Sequence, residues 1–293
     1  MQRMNSRVAA PESDLQRTLR RAARLSGAGL HSGTECEIVI LPAEEDTGII
    51  FVSDGCEVPG LAANVVDTSR STTLAADGRR ITTSEHVMAA LRGAGIDNAR
   101  VEVPQGEAPA MDGSALAYVE AIVDAGVRKQ SRNRRTCALR GPARAASGDA
   151  YILAEPADEL KIRYMMSYAH PMIGEQRVEF LISEAVFRKE IAPARTFVIY
   201  EEVADLLSRR LAQGGSLSNT IVVFRDRLSC ELRFPDELAR HKVLDLIGDL
   251  ALLGAPLRAE ITAFKSGHAL NVEFVRHLSE VAVCKGWEGE SNA

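Results

Sequence analysis

No stretch of about 18 consecutive apolar residues occurs in this 293-residue chain, which argues against a membrane-spanning helix. The first 16 residues hold no apolar core of the kind a secretory signal needs, so no export signal is expected. Positive charge is not in excess either. Lys and Arg number 35 against 40 Asp and Glu, a formal net charge of −5, so nothing draws the chain generally to nucleic acid or to anionic membrane. Cysteine is sparse and unpatterned: Cys36, Cys56, Cys137, Cys230 and Cys284 are odd in number, and no two have CxxC spacing. That argues against a disulfide framework and against a zinc finger, and it fits a reducing compartment, hence the cytoplasm.

What is present is an ordinary globular composition, 46% hydrophobic and 26% charged. The length suits two domains of roughly 100–150 residues each. The sharpest change in composition lies at 127–148, with Arg128, Lys129, Arg132, Arg134, Arg135, Arg140 and Arg144 around the turn signal Gly141-Pro142. A boundary is placed there, between an N-terminal domain at 15–130 and a C-terminal domain at 131–285. The polar segments 1–14 and 286–293 are expected to be disordered. The basic run reads as a solvated linker with strand ends rather than a phosphate or RNA patch, because charge runs are usually solvated faces.

Strands are predicted at 36–41, 48–52 and 99–103, where β-branched residues recur with period two. A helix is predicted at 84–91, with Thr83 or Ser84 as cap, Glu85 in its first turn, and Gly93 and Gly95 as its stop. A second helix is read at 115–125. The later half shows similar features: strands at 151–154 and 160–165, a helix at 202–211, one long helix at 236–253 and a strand at 258–264. In both halves a histidine-bearing helix runs into glycine and then into an alternating strand. Two related α+β units, each giving a histidine to one site between them, are the architecture this suggests.

The chemistry concentrates in three short stretches. His241, Asp245 and Asp249 are spaced four apart, which lines one imidazole and two carboxylates along a helix face. Such a stripe in an apolar segment is costly to bury unless a divalent metal offsets its charge. His241 and Asp245 can bind one ion together, with His86 as the obvious third ligand. Two histidines and one carboxylate leave a position open for water, the catalytic rather than the structural arrangement. Glu85, adjacent to His86, stands where a general base for that water is wanted. Asp249 is read as a group that orients and charges an imidazole, and His268, in a glycine-containing turn after a strand, as that imidazole. The segment after Thr196-Phe197 places Val203, Leu206, Leu207 and Leu211 at helical spacing. It can be a core-facing helix or the lining of an apolar passage.

Nine stretches together carry a resemblance: GAGLHSG (27–33), NVVDT (64–68), TTSEHVMAALRGAGIDNARVEV (82–103), MDGSA (111–115), HPMIG (170–174), ARTF (194–197), GGSL (214–217), LRFPDELARHKVLDLIGDLALLG (232–254) and AFKSGHALN (263–271). In this order they resemble the zinc-dependent UDP-3-O-acyl-N-acetylglucosamine deacetylases of lipid A biosynthesis. The resemblance implies an α+β fold of two two-layer domains, each a small sheet with two helices, and a site between them. It implies inserts near 60–78 and 198–225 that shape the pocket.

It further implies Zn2+, or Fe2+ on the same ligands, at His86, His241 and Asp245. Glu85 would be the general base, with His268 and Asp249 as an electrostatic pair and Thr196 as an oxyanion donor. Lys242, Phe197 and Gly215 would contact a UDP-linked acylated amino sugar. No nucleic acid partner is implied, a monomer is expected, and transient contact with a membrane surface stays open because the substrate is a lipid. Val198, Gln213 and Asn219 depart from the family's usual residues in the passage segment. A paralogue acting on another acylated or nucleotide sugar, and a non-catalytic homologue binding nucleotide-lipid or RNA, are the alternatives.

Overall fold

A computed structural model describes residues 15–285; the segments 1–14 and 286–293, expected to be disordered, lie outside the described residues. The first half builds a five-stranded sheet from β1 (Ala23–Ala28), β2 (Glu35–Pro42), β3 (Ile49–Ser53), β4 (Cys56–Pro59) and β5 (Ala99–Glu102), in the spatial order β1-β2-β5-β3-β4. Its helices are α1 (Glu85–Gly93) and α2 (Leu116–Ala125). The second half builds on β6 (Ala143–Ser147), β7 (Ala150–Pro156), β8 (Lys161–Ser167), β9 (Glu175–Leu181) and β10 (Leu257–Phe264), with helices α3 (Tyr200–Ser208), α4 (Glu237–Leu250) and α5 (His268–Val281).

The two sheets share one topology. In the first, β5 is antiparallel to β2 and parallel to β3, and the hairpins β1-β2 and β3-β4 complete the edges. In the second, β10 is antiparallel to β7 and parallel to β8, flanked by the hairpins β6-β7 and β8-β9. Each central strand follows a histidine-bearing helix, α1 or α4, so the weak repeat in the sequence corresponds to a matched pair of α+β layers. Strand β10 alternates buried residues with half-buried or exposed ones along LRAEITAF, as a strand more covered on one face than the other must. The inserts fall between these elements. One is the small sheet Val65–Asp67, Thr73–Ala76 and Arg79–Ile81; the other is the parallel pair Phe197–Ile199 and Ile221–Val223 with α3 between.

Helix α4 lies between the halves. Every residue of it except Arg240 and Lys242 is buried, and it packs on α1 and α5. Gly248 is what lets α1 approach: a Cβ there would stand 2.2 Å from the carbonyl oxygen of Glu85. Because the obstacle is backbone, Gly248→Ala must push the helices apart. It is expected to lower stability by about 1–3 kcal/mol, the usual cost of overpacking. Urea denaturation tests this, and an unchanged midpoint would mean that the helices separate without cost.

Several expectations need correction. The basic run is no linker. Val127–Asn133 is a strand paired antiparallel with Leu15–Leu19, and Arg132, Arg134 and Arg135 are bonded to Asp46 or Asp97. Those acids are distant in sequence, which is why the run looks unmatched when read linearly. Cys137 and Cys284 face each other across the antiparallel strands Thr136–Ala138 and Val283–Lys285 and form a disulfide. An odd count excludes only complete pairing, and no local spacing rule reaches across their separation of 147 residues. The cysteines therefore supply no argument for a reducing compartment. Ser84 takes the N-cap position of α1, but neither its side chain nor that of Thr83 caps the helix. Thr83 has a left-handed backbone, and the Ser84 hydroxyl donates to the Thr72 carbonyl instead. The helix predicted at 236–253 ends as α-helix at Leu250, and its last turn, Ala251–Leu253, tightens to a 3-10 form before Gly254.

Candidate metal centre and active site

The site forms where the N-terminus of α1 meets the middle of α4. Residues spaced four apart on a 3.6-residue helix drift by about 40° per step. Asp245 and Asp249 therefore point in related but separate directions. His241 and Asp245 turn toward His86 of α1, and Asp249 turns toward the start of α5. Glu237, one step earlier on the same stripe, turns the other way and is bound by the Arg195 guanidinium at 2.7 Å. All four stripe residues are almost wholly buried.

His86, His241 and Asp245 each offer a ligand atom within 4.8 Å of the others. His86 Nε2 and His241 Nε2 stand 3.6 Å and 3.4 Å from Asp245 Oδ1, and the two imidazoles meet edge to face. The Nδ1 of His241 lies 3.0 Å from the carbonyl oxygen of Ala194. A carbonyl can only accept, so Nδ1 carries the proton and Nε2 presents its lone pair to the centre. Burial lowers the His241 pKa to about 4, which keeps that ring neutral. Burial pushes the Asp245 carboxyl up, but its neighbours, the Lys242 ammonium among them, outweigh it and hold the group well below the usual carboxylate range. Two imidazole nitrogens and one carboxylate oxygen on a common centre fit a divalent ion of zinc or iron type.

Glu85, in the first turn of α1, is held by one oxygen. The backbone N–H of Thr72 donates to Oε2 at 2.9 Å. Its other oxygen, Oε1, lies 3.9 Å from His268 Nε2. His268 is the first residue of α5, where the helix dipole disfavours a positive ring. Its Nδ1 contacts Asp249 Oδ2 at 2.9 Å. Burial opposes the charge on His268, but Asp249 overrides it and raises the pKa to about 10. Asp249 itself is fully buried and fully partnered: the Thr72 hydroxyl donates to Oδ1 at 2.6 Å and the Asn271 amide to Oδ2 at 2.9 Å.

Thr72 is thus the residue that the motif reading missed. Its amide holds Glu85 and its hydroxyl holds Asp249, and its place in the loop just before the insert strand Thr73–Ala76 offers no periodic signal. Asn271 had one: it lies three residues after His268 and so shares its helix face. Lys242 does not stand apart from the ligands, as its helical position suggests. Its ammonium folds back to Asp245 Oδ2 at 2.9 Å and lies over the Phe197 ring. Thr196 is pinned by its backbone, donating to Gly113 and accepting from Ile221.

These groups surround a cavity of about 480 Å³ whose walls include Glu85, His86, Thr196, Phe197, Lys242 and His268. A second cavity of about 450 Å³ shares Leu30, Arg70, Thr196 and Phe197 with it. Val198, Val203, Leu206, Leu207, Leu217 and Val222 make its wall apolar, and Gly215 lies along it. Of the open readings of α3, the lining of an apolar passage is the one this geometry favours. Asn219, one of the departures, braces the passage loop: it donates to the Gly214 carbonyl and accepts from the Ser216 amide.

Residues 16–280 match the family model described as UDP-3-O-acyl N-acetylglycosamine deacetylase. Among curated proteins, the UDP-3-O-acyl-N-acetylglucosamine deacetylase of Chlamydia abortus is 46% identical over 272 residues, covering 91% of this chain and 97% of the relative. The protein of that name from Myxococcus xanthus is 43% identical over 282 residues, covering 94% of this chain and 89% of the relative. The protein of that name from an Anaeromyxobacter species is 44% identical over 269 residues, covering 90% and 88%.

Proposed function

The chain belongs to the UDP-3-O-acyl-N-acetylglucosamine deacetylase family, and from that premise we propose that it hydrolyses the acetamide of UDP-3-O-acyl-N-acetylglucosamine to acetate and the free amine, in lipid A biosynthesis. We assign the cofactor as Zn2+, with Fe2+ able to use the same ligands, at His86, His241 and Asp245. The observation that carries this reading is the convergence of those three donors with Glu85 and His268 on one cavity that opens into an apolar passage. A divalent ion there supplies Lewis acidity, polarising the acetyl carbonyl and acidifying water.

The chain's own residues do the rest. The Thr72 amide fixes one oxygen of Glu85, so Oε1 is the oxygen that takes the proton of the attacking water. The new C–O bond converts the carbonyl to an oxyanion, within reach of His268 and the Thr196 hydroxyl. His268 gives a proton to the nitrogen as the C–N bond breaks, and Glu85 Oε1 returns its proton to His268. Water is thereby divided between acetate and amine. Lys242 and Phe197 would contact the polar part of the substrate, and Gly215 would flank the acyl chain. We place the enzyme in the cytoplasm as a monomer that meets the membrane surface transiently, because its substrate is half nucleotide and half lipid.

The direct test is deacetylation of UDP-3-O-acyl-N-acetylglucosamine by zinc-loaded protein, with and without a chelator. No turnover by the loaded protein removes the proposal, and turnover that survives chelation removes the metal from it. Metal content after anaerobic purification separates zinc from iron. Nothing in the site favours the paralogue or the non-catalytic alternative.

Asp249 should be visible in the pH profile. It holds the His268 pKa up, so the protonated ring that the mechanism uses persists to high pH. Asp249→Asn removes that support, lowers the pKa, and is expected to move the alkaline limb of kcat to lower pH. A uniform loss of kcat with the limb unmoved would mean that Asp249 serves packing alone.

A further inference from the structure

A third cavity, of about 310 Å³, lies at the far ends of α1 and α4, away from the catalytic groups. Its walls are mostly apolar, with Leu160, Ile182, Ile247 and Leu250 among them, and Arg92, Arg134, Ser183 and Glu184 are its polar lining. The charge there is unbalanced. Asp97 is the acid nearest Arg92, at 3.8 Å, but it is already bonded by Arg134 Nε at 2.8 Å and by the Arg17 amide at 2.9 Å. Glu184 is bonded by Arg17 Nη1. An atom added at the Cβ position of Gly95 would stand 2.8 Å from Glu184 Oε1, 3.0 Å from Arg17 Nη1 and 3.3 Å from Arg134 Nη2, so these groups converge on one spot.

Three guanidinium groups thus share two carboxylates. Arg92 is the one left short. Its Nε and Nη1 are buried and make no hydrogen bond among the described residues. Burial lowers its pKa to about 10, the direction expected of a cation with too little compensation.

We propose that this cavity is a binding site for a single-charged amphiphile, a carboxylate with a medium-length acyl chain, its head on Arg92 and Arg134 and its tail along Leu160, Ile182, Ile247 and Leu250. One negative charge balances the surplus. A carboxylate matches the planar guanidinium fork, and the apolar wall gives a tail what a bare inorganic anion would leave unused. The cavity volume lies at the lower end of the range for small-molecule sites. Arg92 follows His86 by six residues on α1, about 9 Å along the axis, so the site is separate from the catalytic cavity. The inference does not depend on the proposed function.

The test is titration calorimetry with octanoate, octanol and octylamine on the full chain carrying Val203→Trp, which fills the apolar passage and removes it as a competing site. Octanoate is expected to bind with one equivalent, at least tenfold tighter than octanol and octylamine, and Arg92→Gln should weaken it at least tenfold. No binding in the Val203→Trp background overturns the proposal, as does equal binding of the three probes or an unchanged affinity in Arg92→Gln. If Arg92→Gln does not fold, the comparison of the three probes on the folded parent still decides. Binding seen only after the chain is shortened to end at Lys285 also overturns it, in favour of the chain's own segment 286–293, which carries Glu288 and Glu290.

Discussion

Glu85→Gln is expected to lower kcat/KM by about 10²–10⁴-fold, the range over which general acid–base groups contribute, while metal content stays at the level of the parent. Glutamine has the same shape, and its side-chain oxygen can still accept the Thr72 amide that now binds Oε2. What it lacks is the second oxygen. An amide NH2 stands where Oε1 faced His268 at 3.9 Å, and it cannot take a proton from water. The change therefore removes proton transfer and leaves the ligand set alone, since Glu85 is not among the three converging donors. Steady-state kinetics and atomic spectroscopy on the same sample check this. A loss of less than threefold, or a loss of metal in parallel with activity, would show that Glu85 is not the base.

His241→Ala is expected to abolish stoichiometric metal binding and bring turnover below detection. Outer partners of a metal ligand are typically worth about 10–100-fold in affinity, and a direct ligand is worth more. Chelated parent protein should recover on addition of Zn2+, and chelated His241→Ala should not. The substitution has a structural cost as well, because His241 is buried and its loss leaves the Ala194 carbonyl without the Nδ1 proton. Thermal unfolding of metal-free parent and variant separates that cost from metal loss. If the variant, folded at assay temperature, keeps one equivalent of metal, the ligand assignment is wrong.

Read without coordinates, the helix at 237–250 already declares its polar stripe, because spacing by four is a property of any α-helix. The pairing of Glu85 with His86 is equally local. The matched order of helix, glycine and strand in the two halves anticipates two related layers. These features are legible because each depends on residues within about one to three turns of one another.

What linear reading misassigns depends on contacts far apart in the chain. The basic run 127–135 looks unmatched until Asp46 and Asp97 are placed beside it. Cys284 has no partner in any local pattern, and Cys137 comes opposite it only through strand pairing. Ser84 looks like a cap, but the carbonyl of Thr72 gives its hydroxyl another partner.

By itself, then, the sequence determined the polar stripe on α4, the pairing of Glu85 with His86 and the α+β plan, because helix periodicity and short motifs encode them directly. Only the tertiary structure decided how the stripe on α4 is divided. Packing against α1 joins His241 and Asp245 to His86, and packing against α5 joins Asp249 to His268. Thr72 links the two groups, and no rule of spacing could select it. A buried carboxylate takes whatever donor the folded chain brings to it, and in this fold that donor comes from a loop in the other half.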